Sequence, residues 1–339
     1  MIRRTVIMGV DELESVRGAL VCRDLPITTA AGPASIRRGA VVDEALWATL
    51  STQPGAQLDL VLPEPGELAQ GDASWQFARA IGGAGIAIDP PHQGQCIAHA
   101  ATNGVLRVRA AGVARVNRRE TILLATALDG RVVEEGDTVA VVKASRLWTS
   151  ADDLDRCRRV VGADPVLRVA PFVVHRAALL AGPRIRQANF SLASDNLRDL
   201  LARFGVELGL AERIGDDPSS IADAYRRCLD EGAEIVLIGG SIVLDPEDPY
   251  IVALDRVDGD IVSRGAPIDP GTMFWVAYAR SAVFFGLASC ELYGRRSVLD
   301  LLLPYAVARE PVTRGLLAEL GYGGLLEQTF DARRPSHQP

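Results

Sequence analysis

Lysine is almost missing from this chain: of its 36 Lys and Arg residues, only Lys143 is lysine. Arginine preference of this kind fits codon usage in a GC-rich genome. The sharper alternative is a retained cation, because Lys143 ends the apolar run 139–142. Cysteine is scarce as well. The five residues (Cys22, Cys96, Cys157, Cys228, Cys290) are odd in number and form no C-x-x-C pair. That excludes a disulfide framework and a zinc ribbon, and it predicts a reduced, cytoplasmic protein. Nothing approaches a run of about 20 apolar residues, which excludes a membrane helix. The N-terminal MIRRTVIMGVDELES turns acidic too soon for a secretory signal. Positive charge is also short: the net charge is −7, which argues against nucleic-acid binding, since phosphates need a basic face. His92 and His99 flank Cys96, but a metal site there needs a third ligand. Gly82-Gly83-Ala84-Gly85 follows a helical segment, the wrong context for a dinucleotide fingerprint.

What remains is an ordinary apolar chain. Its 339 residues are 48% apolar and 23% charged, enough for two or three domains with a sizeable core. Residues 1–150 alternate short apolar runs with Pro and Gly and predict a β-rich region, possibly two subdomains, with one helix over 72–80. After about residue 150 the pattern changes. Helical spacing over 152–161, 192–204 and 221–229 alternates with apolar runs at 166–171, 206–212 and 234–238. That alternation predicts an α/β/α three-layer domain with a mostly parallel sheet over 160–305. Residues 306–339 are expected to be a C-terminal extension whose last residues are disordered.

The chemistry concentrates in residues 232–304. The run Ile235 to Ile238 stops at Gly239-Gly240-Ser241, followed by Asp245 and Asp248. A strand end without Cβ atoms lets backbone N–H groups approach an anion. Carboxylates just beyond it suit Mg²⁺. Ligands of open α/β sheets bind beyond the carboxyl ends of the strands.

Four motifs in order carry a resemblance. They are Gly239 to Asp248 (GGSIVLDPED), Gly265 to Phe274 (GAPIDPGTMF), Gly286 to Tyr293 (GLASCELY) and Leu320 to Leu325 (LGYGGL). In this order the chain resembles the molybdopterin-binding family, in particular short stand-alone relatives of the molybdopterin molybdotransferases and of the gephyrin C-terminal domain. The resemblance covers about residues 160–326 well and 10–150 more loosely. It implies that Gly239, Gly240 and Ser241 cradle the phosphate of molybdopterin or molybdenum cofactor. Pro267 and Gly271 would supply a second wall, and Gly286, Ser289 and Cys290 a third. Asp245 and Asp248 would hold a metal, Mg²⁺ being the candidate. A homodimer is implied, with Trp275, Phe284 and Phe285 as interface candidates.

The departures from the family pattern are as specific as the matches. Where the family has Thr-Thr-Gly-x-Glu after a strand, the matching stretch here is His175-Arg176-Ala177-Ala178-Leu179. Arg176 is the candidate replacement, taking a phosphate through two N–H groups. Asp269 stands where the molybdotransferases carry lysine, and an acidic group there repels oxyanions. Asp216-Asp217 precedes a helix and reads either as a position near the ligand or as an N-cap. Three functions stay open. The chain is an accessory factor that binds the cofactor for a molybdenum enzyme, a Mg-dependent molybdotransferase, or an interaction protein that has lost the ligand. In the last case Arg176, Leu179 and Leu244 are expected to plug the cleft.

Overall fold

The structure, a computed structural model, describes residues 1–8, 11–29, 32–53 and 55–326; the segment expected to be disordered, 327–339, lies outside the described residues. The chain divides into two compact units, Met1–Ala170 and Pro171–Pro339.

The first unit is built from small antiparallel sheets. Ile2–Ile7, Gln57–Leu62 and Leu20–Val21 form one, and Leu25–Thr29 pairs with Gly32–Ile36 in a hairpin. A four-stranded sheet joins Ile122–Thr126, Thr138–Ala144, Gln95–Ala100 and Ile86–Ile88. Its inward residues, Cys96, Ala98, Ala100, Ile122, Leu124 and Val142, bury against the Gln70–Ile81 helix through Ala73, Phe77 and Ile81. The alternation along Gln95–Ala100 and Ile122–Thr126 is the period of two that one buried face requires.

The second unit has a single six-stranded sheet. Its strand order is Glu207–Arg213, Arg176–Ala181, Ile235–Gly239, Ala282–Leu287, Trp275–Ala279, Asp260–Arg264. The first four are parallel, and the last two continue as antiparallel neighbours. Successive side chains of the central strands alternate between two cores. Leu179, Leu237 and Phe285 face the Gln187–Ala202 and Val298–Val307 helices. Ala178, Leu180, Val236, Ile238 and Phe284 face the Pro218–Asp230 helix and the Pro249–Val252 turn. Coverage on both faces explains why these strands read as continuous apolar runs. This is the α/β/α layering with a mostly parallel sheet that the sequence predicts. Residues of 306–317 are part of the first of these cores through Ala306, Val307, Val312, Leu316 and Leu317.

One strand was not anticipated. Arg176–Ala181 is a central strand with Ala177 through Ala181 all buried, between the apolar run at 166–171 and the helical spacing at 192–204. Its sequence, RAALLA, carries no β-branched residue, and Ala and Leu favour helices. Burial on both faces overrides that preference.

Candidate functional site

The parallel strands place four turns at one end of the sheet. Ala181 is followed by Gly182-Pro183-Arg184, Arg213 by Ile214-Gly215-Asp216-Asp217, Gly239 by Gly240-Ser241, and Leu287 by Ala288-Ser289. The 265–274 loop joins Asp260–Arg264 to Trp275–Ala279 at this same end, because Trp275 pairs with Gly286.

Two close approaches and one left-handed glycine shape these turns. Gly286 lies beneath the Trp275 indole, so closely that a Cβ on Gly286 would sit 1.8 Å from Trp275 Nε1. The ring is thereby laid across the strand, and Nε1–H donates to Ser241 Oγ at 2.8 Å. The Ser241 hydroxyl in turn donates to Asp248 Oδ1 at 2.9 Å. At Gly182 a Cβ would lie 1.7 Å from the Tyr250 hydroxyl, which donates to the Gly215 carbonyl at 3.4 Å. Gly240 has φ +95, a conformation that side chains rarely adopt. The Gly-Gly-Ser turn is therefore fixed from below by side chains, while its own backbone carries no Cβ at positions 239 and 240.

Asp248 is fully buried. Its carboxylate accepts from the Ser241 hydroxyl and from the N–H groups of Ile242 (2.6 Å), Tyr250 (3.1 Å) and Ile251 (3.3 Å). Four donors use the lone pairs a metal would need, so Asp248 is the closing bond of the loop and the cap of the Pro249–Val252 turn. Asp245 is half-exposed and accepts from the Glu247 N–H at 3.0 Å. Among the described residues no cluster of three or more His, Cys, Asp or Glu is arranged to hold a metal ion. Of the two metal ligands expected from the sequence, the Asp248 carboxylate is thus engaged within its own loop. His99, the other metal candidate, has its ring nitrogens against Asp89 (2.8 Å) and the Gly136 carbonyl (3.1 Å).

Gly239, Gly240, Ser241, Gly271, Gly286 and Ser289 lie at this end of the sheet, and so does Pro267. Gly271, with φ +122, packs against Val298 at the start of a helix. Pro267 rests against Gly321 and Gly324, and Asp269 exchanges backbone bonds with Gly324 and Leu326. Two of the sequence motifs, 265–274 and 320–325, thus form one wall. Cys290 is turned inward: its thiol, 9% exposed, donates to Glu291 Oε2 at 3.3 Å. Burial pushes that thiol up to about 12, which leaves it protonated and unfit as an anionic ligand.

Arg176 is at the other end. It opens its strand, paired with Glu207, while Ala181 at the far end pairs with Gly239. Six residues of extended chain separate the two ends by about 17 Å. The Arg176 guanidinium donates to the Glu231 carbonyl at 3.1 Å. The stretch 175–179 begins a strand, so the turn to compare with Thr-Thr-Gly-x-Glu is Gly182-Pro183-Arg184. That turn supplies the cation the sequence reading missed. Arg184 is exposed and donates through Nη1 to the Gly240 carbonyl at 2.9 Å. Of the three side chains expected to plug the cleft, Arg176 is remote, Leu179 is in the core and Leu244 is 74% exposed. Asp217 is an N-cap, accepting from the Ser220 N–H at 2.9 Å, and this bond holds its carboxyl below the usual range. Trp275, Phe284 and Phe285 are at most 1% exposed; they fill the protomer's own core and offer no surface to a partner.

No family model matches the chain, and no curated protein matches it. Solved structures do. One is a molybdopterin biosynthesis MoeA protein from Pyrococcus horikosii, with 14% identity and a TM-score of 0.31 over 72% of this chain and 76% of that one. A molybdopterin biosynthesis Mog protein from Mycobacterium ulcerans gives 11% and 0.32 over 41% of this chain and all of the other. A CinA protein of unknown function from Thermoplasma acidophilum gives 13% and 0.32 over 39% and 98%. Likeness at this level assigns no activity to the chain. No helix among the described residues is long and apolar enough to cross a membrane.

Proposed function

We propose that the carboxyl end of the six-stranded sheet binds molybdopterin or molybdenum cofactor through its phosphate, and that the protein is an accessory factor in maturing a molybdenum enzyme. The observation that carries this reading is the Gly-Gly-Ser turn. Its backbone is bare of Cβ atoms at the strand end, it is fixed by the Trp275–Ser241–Asp248 chain of hydrogen bonds, and Arg184 lies against it. Fixed backbone N–H groups beside a guanidinium suit a phosphate. The four ordered motifs of the sequence give the ligand its identity. A homodimer belongs to the same reading through the resemblance alone.

The metal-dependent transferase is the weaker alternative, because the buried Asp248 carboxylate is already occupied by four donors. The deciding experiment is purification from a host with an intact cofactor pathway, followed by oxidation and pterin fluorescence, with molybdenum counted in parallel. Near-stoichiometric pterin is expected, and the metal count separates finished cofactor from its precursor. Absence of pterin, together with no uptake of added cofactor, would leave the chain as an interaction protein.

A further inference from the structure

The single lysine has a place in the fold that the proposed pterin site does not use. Lys143 lies on the Thr138–Ala144 strand, opposite Leu123 and on the sheet face turned away from Val142 and the core. There it lines a cavity of about 570 Å³ within the first unit, together with Asp24, Arg37, Arg38, Gln70 and Gln93. Three cations against one carboxylate is an unusual excess in a chain whose net charge is −7.

The acid is already committed. Asp24 accepts from the Arg38 backbone N–H at 2.8 Å and from Arg37 Nη1 at 3.3 Å. The Arg38 guanidinium and the Lys143 ammonium have no hydrogen-bond or ion-pair partner among the described residues. Two polar side chains are held beside them by the backbone. Gln70 donates through Nε2 to the Ala144 carbonyl at 2.7 Å. Its side-chain carbonyl then packs where a Cβ on Gly94 would stand. Gln93 sits in a left-handed turn with φ 49, uncommon for a residue with a side chain, and this turn presents it at the cavity. Two cations without partners beside held amide side chains, around a pocket of this size, match the needs of a small anionic ligand.

We propose that this cavity is a second ligand site, which takes a phosphate group carried on a small polar molecule, with Arg38 and Lys143 as its charge partners. The inference does not depend on pterin binding, because the residues and the strands that carry them belong to the first unit alone.

Calorimetric titration of the full chain with inorganic phosphate, pyrophosphate and AMP, at constant ionic strength, tests it. Saturable 1:1 binding of at least one probe is expected. Preference for AMP supports a site for a carried phosphate, whereas binding of phosphate or pyrophosphate alone would overturn that part of the proposal and leave a site for the free anion. Arg38→Ala and Lys143→Met should each weaken that binding about tenfold, near 1.4 kcal/mol, whereas Lys143→Arg should retain most of it. Thermal melts of the same variants confirm that the fold is intact, and these exposed or half-exposed positions tolerate the changes. The proposal fails if none of the three probes binds. It also fails if the Arg38→Ala, Lys143→Met double variant binds as the parent does.

Discussion

The two ends of the six-stranded sheet are built on opposite terms. At the carboxyl end, Gly182 and Gly286 bring backbone against Tyr250 and Trp275, and the buried Asp248 carboxylate has both oxygens engaged. At the amino end the same strands begin in charged side chains. Arg176 donates to the Glu231 carbonyl, and Glu234 takes Arg309 and the His175 N–H. Exposed pairs of that kind contribute about 0–1 kcal/mol. A buried contact that leaves no room for a methyl group cannot yield so cheaply. The carboxyl end is therefore the intolerant one, and its intolerance serves to fix a turn whose backbone stays uncovered.

The largest expected effect breaks this contrast where it is sharpest. Gly286→Ala places a Cβ inside the Trp275 indole and removes the donor that holds Ser241. Overpacking a core by one methyl costs about 1–3 kcal/mol and sometimes more, and this contact belongs at the upper end. A thermal melt should fall by about 2–4 °C per kcal/mol, with a change in tryptophan emission. Glu234→Gln at the amino end should stay within about 0.5 kcal/mol of the parent. Equal losses from the two substitutions would refute the distinction.

Next comes the carboxylate. Asp248→Ala leaves three N–H groups, two of them buried, and a hydroxyl without their acceptor, at about 3 kcal/mol by the cost of charged hydrogen bonds. Asp245→Ala, on the same loop but half-exposed, should cost within about 0.5 kcal/mol. The same pair separates a loop-closing role from metal chemistry. If Asp245 and Asp248 held Mg²⁺ together, both substitutions would abolish magnesium-dependent stabilisation to the same extent.

These pairs also mark what the sequence made legible. The layered α/β unit and the Gly239-Gly240-Ser241 turn were readable because apolar runs ending in glycine have few other meanings. The role of Asp248 was not, since nothing in the spacing says that Trp275, 27 positions further on, reaches back to Ser241. Arg176 and Arg184 show the commoner failure. RAALLA lacks the β-branched residues that announce a strand, so its start reads as a turn, and the sequence points to Arg176, eight residues before Arg184, as the cation of the site. Register along a strand decides which end of a sheet a residue occupies, and short Ala/Leu runs carry little register information.

The two arginines make the next test. If the carboxyl end binds a phosphate-bearing pterin, Arg184→Ala should lower its affinity about tenfold, since a charge-assisted bond is worth roughly 1.5–3 kcal/mol and part of Arg184 is already engaged with Gly240. Arg176→Ala should leave binding unchanged. The reverse order, measured by fluorescence titration with oxidation-protected pterin, would move the site to the amino end.

The smallest effect concerns an acid within the same wall that the sequence did not single out. Glu291, 3% exposed, follows Cys290 and accepts from its thiol. Burial pushes its carboxyl above the ordinary 4.5 and outweighs the opposing hydrogen bond from Ser297. The folded protein thus keeps a proton that the unfolded chain releases, so the stabilisation is complete below about pH 4.5 and declines as pH rises through the folded value. Glu291→Gln has nearly the same shape and no proton to lose. Its melting temperature should gain on that of the parent steadily as pH rises from 4.5, by a few degrees at most. A difference that stays constant with pH would mean that the carboxyl is ionised in the fold. Cys290 would then face a carboxylate, and the third wall of the site would be anionic and hostile to the phosphate it is proposed to meet.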